Sequence, residues 1–510
     1  FMGLSDRISV LKLGMIYPVD DKIVRDFAQN LTAIIVIEEK GPFVEEAIAH
    51  ALIGTPIQHI YGKRGAHDEF FIPAHGELNP DLLVQILGPV LLNLFDDSSI
   101  QSRLDQLRQI KDRNSTALAK RSAHYCPGCP HSISAKAPSG EIAGGEIGCS
   151  SLDAYINSDG RGVKYIPTMG LGGALNNGMF PFNDNQHLFQ NIGDGTVLHS
   201  GLLTILSSIS LGANVTYKIL WNHVVAMTGG QGISGQPSLD DFIVTLLGLG
   251  ISDISVVSKY PDQVHLEKAH RLLTSEQHLT IEPRDRLMQV QTNLSEKKGV
   301  KVLLFDQECA TENRRRNKRQ NIDPDQYIYI NEDVCEGCGD CGSQSMCLAL
   351  GPVETNYGTK TEILQSACNQ DVSCLKGDCP SFVSVIPQAG VQPAKPTIPS
   401  IELTDLVEPS DKVLIQGRYA IHIVGIGGTG VVTVAHLLGY AALFEGKKVN
   451  ELNRTGLAQK GGPVESPVIL SDSEMPPSSF IAAGQCDLYL AADIVGAVNP
   501  VNGPHNICGQ

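Results

Sequence analysis

A Gly-Asp-Gly turn, followed by an asparagine at about the length of one strand and one helix, constrains this chain more than any other feature. The turn is Gly193-Asp194-Gly195, and the later residue is Asn222. A diphosphate carries too much negative charge to be held by protein groups alone, and Mg²⁺, which prefers oxygen ligands, can bridge it. Asp194, Asn222 and the backbone carbonyl of Val224 would supply three such oxygens. The glycines let the backbone approach the phosphates, and a helix that begins here would add its positive dipole end.

The residues after Asn222 separate this pattern from an ordinary turn. Gly-Asp-Gly by itself is common, but here Asn222 is followed by the glycine-rich run Met227-Thr-Gly-Gly-Gln231. Strand-like runs at 215–220 and 254–257, set between helical stretches, predict a largely parallel sheet that is covered on both faces. Together these features are typical of a domain that binds thiamine diphosphate with Mg²⁺.

Composition narrows the class of protein. The chain has 510 residues and a formal net charge of −16, so we expect three or four domains and no nucleic-acid partner. It lacks the run of about 18 apolar residues that a transmembrane helix needs, and it shows no secretory signal pattern. We therefore predict a cytoplasmic protein with no membrane partner. In that setting the 13 cysteines, many in Cys-x-x-Cys groups, indicate metal or iron–sulfur ligands rather than disulfides.

Alternating strand-like and helical patterns predict a multidomain α/β chain. The predicted parts are an α/β domain at 1–65, a connector at 66–120, the Mg²⁺-motif domain at 121–325, a cysteine-rich segment at 326–390, a proline-rich linker at 391–415 and a further α/β domain at 416–510. Runs at 8–14 and 33–39 are predicted strands, and 43–52 is a predicted amphipathic helix. Because the chain opens with Phe1-Met2, in what looks like the middle of a domain, we expect it to be a fragment.

The cysteine-rich segment resembles a bacterial ferredoxin run, in which three cysteines hold one cubane and a fourth reaches a second cluster. By that analogy the ligands form two sets, Cys335, Cys338, Cys341 and Cys379 for one cluster, and Cys347, Cys368 and Cys374 for another. The second set is one cysteine short, which leaves a non-cysteine ligand or a three-iron cluster open. The alternative is a zinc ribbon, although zinc sites usually pair two Cys-x-x-Cys knuckles.

Another cysteine set lies beside the Mg²⁺ motif in the sequence. It consists of Cys126-x-x-Cys129, Cys149 and Cys309. Four thiolates that converge on one edge of this domain would hold a third cluster. The alternative is that Cys149 and Cys309 are small buried hydrophobic residues, as free cysteines often are.

With these motifs in one chain, the sequence resembles the 2-oxoacid:ferredoxin oxidoreductases, and within them the single-chain indolepyruvate ferredoxin oxidoreductase type. The segments that carry the resemblance are Tyr125-Cys-Pro-Gly-Cys-Pro-His131, Gly193-Asp-Gly-Thr-Val-Leu-His-Ser-Gly201, Met227-Thr-Gly-Gly-Gln231, Cys335-Glu-Gly-Cys-Gly-Asp-Cys341 and Thr455-Gly-Leu-Ala-Gln-Lys-Gly-Gly462. The resemblance implies oxidative decarboxylation of a 2-oxoacid, with an aryl pyruvate such as indolepyruvate favoured, to an acyl-CoA. Electrons would pass through two or three [4Fe-4S] clusters to ferredoxin, and coenzyme A would be the co-substrate.

The same resemblance implies folds and site residues. It implies a transketolase C-terminal-like fold for 1–65, a ferredoxin-like fold for 326–390 and a γ-type Rossmann-like fold for 416–510. The implied cofactor contacts are Gly148, Cys149, Gly193, Asp194, Gly195, Thr196, Asn222, Thr228, Gly229, Gly230 and Gln231. The implied metal ligands are Asp194, Asn222 and Val224 for Mg²⁺, Cys126, Cys129, Cys149 and Cys309 for a proximal cluster, and the two ferredoxin-like sets. His199, which follows the Gly-Asp-Gly turn most closely, is the candidate catalytic residue.

One element of that family has no counterpart here. Its members carry a preceding domain with a glutamate that activates the thiamine pyrimidine, and nothing at 1–65 resembles that domain. We therefore expect the thiamine site to be completed in a homodimer or hetero-oligomer, or by an upstream segment. The run Met169-Gly-Leu-Gly-Gly-Ala-Leu-Asn-Asn-Gly178 also departs from the family pattern. A competing hypothesis is an electron-transfer subunit with a vestigial thiamine fold, although such a subunit would have little reason to retain both Asp194 and Asn222.

Two further motifs leave alternatives open. Gly425-x-Gly427-x-x-Gly430, with Glu451 some twenty residues on, matches a dinucleotide fingerprint. It predicts either a nicotinamide or flavin nucleotide site, as in a reductase, or tight packing of a strand on a helix with no ligand. The basic run 314–319 predicts either a solvated connector or a docking site for an acidic ferredoxin or for coenzyme A phosphates.

Overall fold

The structure is a computed structural model that describes residues 8–65, 68–95, 97–113, 121–156, 162–388, 417–456, 459, 461–476 and 478–499. These residues divide into two compact units, one formed by 1–121, 409–455 and 463–510 and the other by 122–408 and 456–462. The predicted linker at 391–415 lies outside the described residues. Among the described residues, no helix is both long and apolar enough to cross a lipid bilayer.

The N-terminal part of the first unit is mostly helical. Its elements are α1 Asp21–Ala28, β1 Ala33–Ile35, α2 Phe43–Ala51, β2 His59–Tyr61, α3 Pro80–Phe95 and α4 Ser98–Arg113. The predicted helix at 43–52 is confirmed as α2, but the predicted strand at 8–14 is wrong, because these residues pair with no other strand. Residues 80–113 fold into two helices that pack on each other through Leu91 and Leu104, so this stretch is more structured than a plain connector.

The centre of the second unit is a six-stranded sheet in which every pair is parallel. The strands are β3 Ala143–Gly144, β4 Leu188–Gly193, β5 Val215–Trp221, β8 Asp253–Ser258, β9 His278–Pro283 and β10 Val300–Asp306, in the order β3-β4-β5-β10-β8-β9. Consecutive residues of one strand pack on opposite faces of the sheet. Ile219 and Leu304 lie in the core on one face, and Leu220 and Leu303 lie in the core on the other. The predicted parallel sheet with two covered faces is therefore confirmed.

Helices and turns link these strands. The α-helices are α5 His131–Ser134, α6 Asp153–Ile156, α7 Ala174–Met179, α8 Asp194–Thr196, α9 Leu202–Leu211, α10 Leu239–Gly248, α11 Glu267–Leu272, α12 Leu287–Ser295 and α13 Ala310–Gln320. The short strands β6 Val224–Val225 and β7 Gln231–Gly232 pair antiparallel. Between α8 and α9, Val197–Gly201 form a π-helical turn.

The cysteine-rich segment folds as two strand pairs around short helices. Its elements are β11 Tyr327–Ile330, α14 Asp340–Ser345, β12 Leu350–Thr355, β13 Gly358–Ile363, the 3₁₀ turn Ser373–Leu375 and β14 Phe382–Val385. The first strand pairs antiparallel with the last, and β12 pairs with β13. The two ends of the segment are thereby held together.

The C-terminal part of the first unit is a mixed sheet. It contains β15 Arg418–Ile426, α15 Val431–Phe444, β16 Lys448–Glu451, β17 Arg454–Thr455, β18 Pro463–Ser471, β19 Leu488–Ala491 and α16 Ile494–Ala497. The order of strand, glycine turn, helix and second strand in the βαβ unit that we predict from about 416 is present as β15, α15 and β16. Strand β18 pairs antiparallel with both β15 and β16 and lies between them. Strands β15 and β16 therefore run parallel with β18 between them, and β19 pairs in parallel with β15 on its other side.

The first glycine of the Gly425 motif is explained by packing. A Cβ on Gly425 would lie 2.4 Å from Val431 Cγ2, so only glycine lets the strand approach α15 this closely. Glu451, the acidic residue of the fingerprint, accepts hydrogen bonds from His436 Nδ1 and Asn453 Nδ2, both at 3.0 Å. Of the two alternatives for this motif, the structure favours tight strand–helix packing.

Candidate thiamine and cysteine site

The carboxylate of Asp194 lies where β4 ends, next to the end of β5. Its Oδ2 accepts hydrogen bonds from the backbone N–H groups of Asn222 at 2.9 Å and His223 at 2.7 Å, and its Oδ1 accepts one from Gly195 at 2.8 Å. Burial raises the pKa of Asp194, and the three backbone donors oppose that rise. A cation at this carboxylate would offset the cost of burying its charge. The parallel pairing of β4 and β5 thus brings together the two residues that the sequence motif identified.

The amide of Asn222 is oriented by a histidine from the cysteine knuckle. Asn222 Nδ2 lies 3.2 Å from His131 Nε2, and His131 Nδ1 lies 3.0 Å from Ser134 Oγ. Burial lowers the pKa of His131 to about 4, so the ring is neutral at physiological pH and can accept through Nε2. With its nitrogen held by His131, the amide presents Oδ1 on its other side, within 3.3 Å of the Val224 N–H. His131 therefore sets the amide orientation that a metal ligand needs.

Replacing His131 should weaken the cofactor site without removing any ligand. We expect His131→Ala to lower the affinity for thiamine diphosphate with Mg²⁺ by roughly 10–100-fold, the usual effect of losing an outer-shell partner. Calorimetric titration would measure it, with His124→Ala as the control. His124 lines the same cavity but bonds only to the Ser122 carbonyl, at 2.9 Å. Equal affinities in the wild type and His131→Ala would contradict this role.

The segment after Asp194 begins a helix that runs through three geometries. Residues 194–196 are α-helical, 197–201 are π-helical and 202–211 are α-helical again. Gly195 and Thr196 lie at the positive N-terminal end, beside the carboxyl end of β4. His199 lies in the π-helical turn, is exposed and contacts Ser200 Oγ at 2.8 Å. Its catalytic role stays a prediction.

The glycine-rich run 228–231 forms the tip between β6 and β7. Gly229 and Gly230 have φ values of 138° and 82°, which favour glycine, and Thr228 Oγ1 donates to Gln231 Oε1 at 2.9 Å. Arg315 of α13 donates to the Gly229 carbonyl at 2.8 Å. The N–H groups of Gly229 and Gly230 donate to the carbonyls of Ala226 and Val225 at 3.3 and 2.9 Å, so the loop is a tight turn, which Arg315 anchors from the next element.

The four cysteines of the predicted proximal set line one cavity. The walls of this cavity are formed by His124, Cys126, Cys129, Pro130, His131, Cys149, Leu152, Ala226, Met227, Cys309, Ala310, Thr311 and Gln459. The pKa of Cys129 lies well above its ordinary value, because of burial and then of the nearby thiols Cys149, Cys126 and Cys309. Ala226 and Met227 belong to the turn after Asn222, so the thiol cavity adjoins the predicted thiamine site.

The pKa shifts of two thiols in the ferredoxin-like segment agree with the two predicted sets. Burial raises the pKa of Cys341, and the nearby thiols of Cys335, Cys338 and Cys379 raise it further. The pKa of Cys374 is raised to about 12. Burial is the largest cause of this rise, and the nearby thiols of Cys347 and Cys368 are the next largest. Cys341 also raises the pKa of Cys374 slightly, so the two sets are neighbours within the segment. The isolated Cys486 is buried as a single thiol, and Cys508 lies outside the described residues.

The second of these sets touches the proximal knuckle. The backbone N–H of Gly128, between Cys126 and Cys129, donates to Cys347 Sγ at 3.1 Å, and Asn369 Nδ2 donates to the Pro127 carbonyl at 2.6 Å. Hydrogen bonds to sulfur are among the contacts that tune an iron–sulfur potential. The knuckle thus provides a direct link between two of the cysteine sets.

The donor sets fit the groups that the motifs imply. Among the described residues, no three histidine, cysteine or carboxylate side chains lie close enough together to hold a single metal ion. A cubane spaces its cysteine ligands more widely than one ion does, and four thiols around one cavity suit such a cluster. For Mg²⁺, a carboxylate, an amide oxygen and a nearby backbone carbonyl are the expected oxygen donors.

The three consecutive arginines of the basic run have separate partners. Arg314 donates to the Ser366 carbonyl, Arg315 to the Gly229 carbonyl and Arg316 to Glu308. The first two join α13 to the cysteine-rich segment and to the glycine loop. Arg316 and Lys259 line a separate polar cavity of about 510 Å³ at the carboxyl end of the sheet. A role of this run in binding coenzyme A phosphates or ferredoxin stays a prediction.

Sequence reasoning missed a buried carboxyl group beside the site. Glu146 is 1 % exposed, and its Oε1 accepts from the backbone N–H groups of Gly170 at 2.5 Å and Gly172 at 2.9 Å. Its Oε2 has no hydrogen-bond partner among the residues that the structure describes. Glu146 therefore ties the run 169–178, whose role the motif left in doubt, to the loop that carries Cys149. No residue spacing along the chain signals this contact.

The isolation of Glu146 predicts a pH dependence of stability. Burial raises its pKa from 4.5 to about 7, so between these values the folded state keeps a proton that the unfolded state has released. Stability should fall as pH rises through that window, by about 1.4 kcal/mol per pH unit. Glu146→Gln should remove this slope and leave the variant the more stable form above the window. Trp221, the single tryptophan of the chain, is buried in β5, and its fluorescence during denaturation would report the difference. Parallel curves for both proteins would refute the assignment.

Known protein families match both ends of the chain. A family model described as an indolepyruvate oxidoreductase domain matches residues 5–114, and one described as pyruvate ferredoxin/flavodoxin oxidoreductase matches residues 420–500. Indolepyruvate oxidoreductase subunit IorA of Archaeoglobus fulgidus is 25% identical over 412 residues, which are 77% of this chain and 57% of that protein. By these matches the chain is similar to members of the 2-oxoacid:ferredoxin oxidoreductase family.

Within this family the chain is similar to both named indolepyruvate oxidoreductase subunits. IorA of Methanothermobacter thermautotrophicus is 28% identical over 247 residues, 46% of this chain and 37% of that protein. IorB of Pyrococcus horikoshii is 36% identical over 85 residues, 17% of this chain and 41% of that protein. Similarity of one chain to both subunits agrees with the single-chain type. The chain spans about half the length of the IorA relatives that it matches.

A solved structure was also matched. It is a 2-oxoglutarate:ferredoxin oxidoreductase from Magnetococcus marinus with 2-oxoglutarate, coenzyme A and succinyl-CoA bound, at 17% identity and a TM-score of 0.27, over 38% of this chain and 66% of that one. At that TM-score the overlap does not establish a shared fold.

Proposed function

We propose that this chain carries the thiamine-diphosphate half-site and the electron-transfer clusters of an enzyme that oxidatively decarboxylates a 2-oxoacid. An aryl pyruvate such as indolepyruvate is the proposed substrate, coenzyme A the acyl acceptor and ferredoxin the electron acceptor. The observation that carries the proposal is the junction of two sites at one sheet edge. Asn222, a predicted Mg²⁺ ligand, contacts His131 at 3.2 Å, and His131 lines the cavity of four cysteines.

Each part of the site has a defined task. Asp194 and Asn222 would bind Mg²⁺, and the glycine loop that Arg315 anchors would receive the diphosphate. When bound, thiamine diphosphate supplies the electron sink for decarboxylation. The proximal cysteines Cys126, Cys129, Cys149 and Cys309 would hold the cluster that accepts its electrons. The cavity they line is closed partly by apolar side chains such as Leu152 and Met227, which limit the access of water.

The ferredoxin-like segment provides the exit for the electrons. Cys347 accepts a hydrogen bond from Gly128 of the proximal knuckle, so its set is the proposed next carrier. Cys338, of the remaining set, is exposed, and a cluster that it ligates would face solvent, where a ferredoxin could dock. The proposed order is therefore the proximal set, the Cys374 set and the Cys341 set.

Electron paramagnetic resonance would test this function on the anaerobically purified chain with thiamine diphosphate and Mg²⁺. Addition of an aryl pyruvate should reduce the iron–sulfur clusters, and omission of thiamine diphosphate or Mg²⁺ should prevent it. Clusters that dithionite reduces but the oxoacid does not would favour an electron-transfer subunit with a vestigial thiamine fold. If such a protein also fails to bind thiamine diphosphate, the proposal is wrong.

A further inference from the structure

The two halves of the cysteine-rich segment repeat one spacing, with a single exception. The first half reads Cys335-x-x-Cys338-x-x-Cys341, and the second reads Cys368-x-x-Asp371-x-x-Cys374. The two halves are also joined in space, since β11 pairs with β14 and helix 340–345 packs against the turn 373–375. Asp371 therefore occupies the position at which the first half has a cysteine.

Three thiols and Asp371 come together around this position. The thiolates of Cys347 and Cys368 lie close enough to Cys374 to raise the pKa of Cys374, although burial has the larger effect. Asp371 is close enough to Cys347 to contribute in the same way. Asp371 is thus placed, both by sequence position and in space, as the fourth member of the set that lacks a cysteine.

The Asp371 carboxylate is nevertheless committed to other partners. Its Oδ1 accepts from Arg284 Nη1 at 2.5 Å and from Gln307 Nε2 at 3.1 Å, and its Oδ2 accepts from Ser373 Oγ. The side chains of Arg284 and Asp371 are only 9% and 5% exposed. Opening this pair would leave a buried arginine without its counter-charge, which is strongly unfavourable.

Arg284 is itself held in this position by further contacts. Its Nη2 donates to the Asp371 carbonyl at 3.2 Å and to Ser373 Oγ at 3.1 Å, while Nη1 also donates to Gln307 Oε1 at 3.1 Å. A planar guanidinium that bonds to several fixed acceptors loses little conformational entropy for each hydrogen bond that it forms. The arrangement therefore favours the ion pair over an iron–carboxylate bond.

We infer that the set of Cys347, Cys368 and Cys374 binds a three-iron cluster, with Asp371 withheld from iron by Arg284. This inference rests on the proposed function only in that the cysteine sets bind iron and sulfide. The Cys341 set and the proximal set, each with four thiols, would hold four-iron clusters. Asp371 acts as a positioning residue, since its ion pair also fixes the segment beside Gly128, where a Cβ would lie 3.1 Å from Asp371 Cβ.

Electron paramagnetic resonance of the oxidised, anaerobically purified chain tests this inference directly. An oxidised three-iron cluster is paramagnetic, whereas a four-iron cluster with the usual paired spins is silent in the same state. We expect the wild type to show the three-iron signal at about one spin per chain. Asp371→Cys should abolish that signal after reconstitution with ferrous iron and sulfide, and should raise the iron content by one atom per chain.

Two further variants keep the test decisive. Asp371→Asn cannot ligate as a carboxylate, and it should keep the three-iron signal. Asp340→Asn, which replaces an exposed carboxylate at the Cys341 set, is the matched control and should change nothing. The opposite result would be an oxidised wild type without the three-iron signal and an Asp371→Asn variant that shows it. Asp371 would then be a ligand of a fourth iron, and the inference would be overturned. Absence of iron from the wild type would refute the proposed function as well.

Discussion

Asp194→Ala is expected to abolish the Mg²⁺-dependent binding of thiamine diphosphate. The substitution removes the buried carboxylate at the end of β4, and with it the negative charge that the metal would neutralise. Loss of a direct ligand should exceed the roughly 10–100-fold effect of an outer-shell change, so we expect an affinity loss of more than about 100-fold. Calorimetric titration of thiamine diphosphate, with and without Mg²⁺, would measure this.

Asp240→Ala is the matched control for that experiment. Asp240 is another buried carboxylate of the same unit, and it accepts hydrogen bonds from the backbone N–H groups of Lys268 and Ala269, both at 2.9 Å. It has no part in the proposed metal site. Its loss should therefore lower stability by a similar mechanism while leaving cofactor affinity unchanged. Normal binding in Asp194→Ala would show that the metal assignment is wrong.

Cys129→Ser is expected to break the path of electrons out of the thiamine site. Cys129 lines the proximal cavity, and the other three thiols of the set all raise its pKa, although burial has the largest effect. Serine is a poor iron ligand, so the proximal cluster should be lost and reduction of the remaining clusters by an aryl pyruvate should fall by more than about 100-fold. Stopped-flow absorbance of the iron–sulfur bands would follow the reduction.

The same variant should retain the other functions of the chain. Thiamine diphosphate should still bind, because Asp194 and Asn222 are unchanged, and the ferredoxin-like segment should keep its iron. Cys486→Ser is the control, since Cys486 is a buried thiol outside the three cysteine sets and donates to the carbonyls of Ala420 and Leu488. If Cys129→Ser transfers electrons at the wild-type rate, the proximal set is not on the path.

The proximity of the two motif residues could be predicted from the sequence because parallel strands end at a common edge. Asp194 and Asn222 lie immediately after β4 and β5, so a motif that is separated along the chain becomes contiguous without further information. The cysteine sets were predictable for a similar reason, because their spacing follows a known run. The prediction of a sheet that is covered on both faces followed from its apolar strands, whose alternate residues pack into two different cores.

Contacts between distant side chains could not be predicted. The hydrogen bond from Asn222 to His131 joins residues 91 positions apart, and the Arg284–Asp371 ion pair joins residues 87 positions apart. Neither has a periodic signal. The order β15, α15 and β16 was predicted for 416–510, but the position of β18 between the two strands was not, because a glycine turn and a helix look the same whether or not another strand intervenes. Only the pairing of the strands distinguishes the two arrangements.

The most direct test is an assay of iron, sulfide, zinc and thiamine diphosphate on the chain purified anaerobically and supplied with Mg²⁺ and cofactor. The account predicts iron and sulfide in similar amounts, at about eleven irons per chain if one set holds three and two sets hold four. It also predicts thiamine diphosphate that is retained only when Mg²⁺ is present. Zinc in place of iron, or a chain that retains no thiamine diphosphate under any of these conditions, would contradict the central claim.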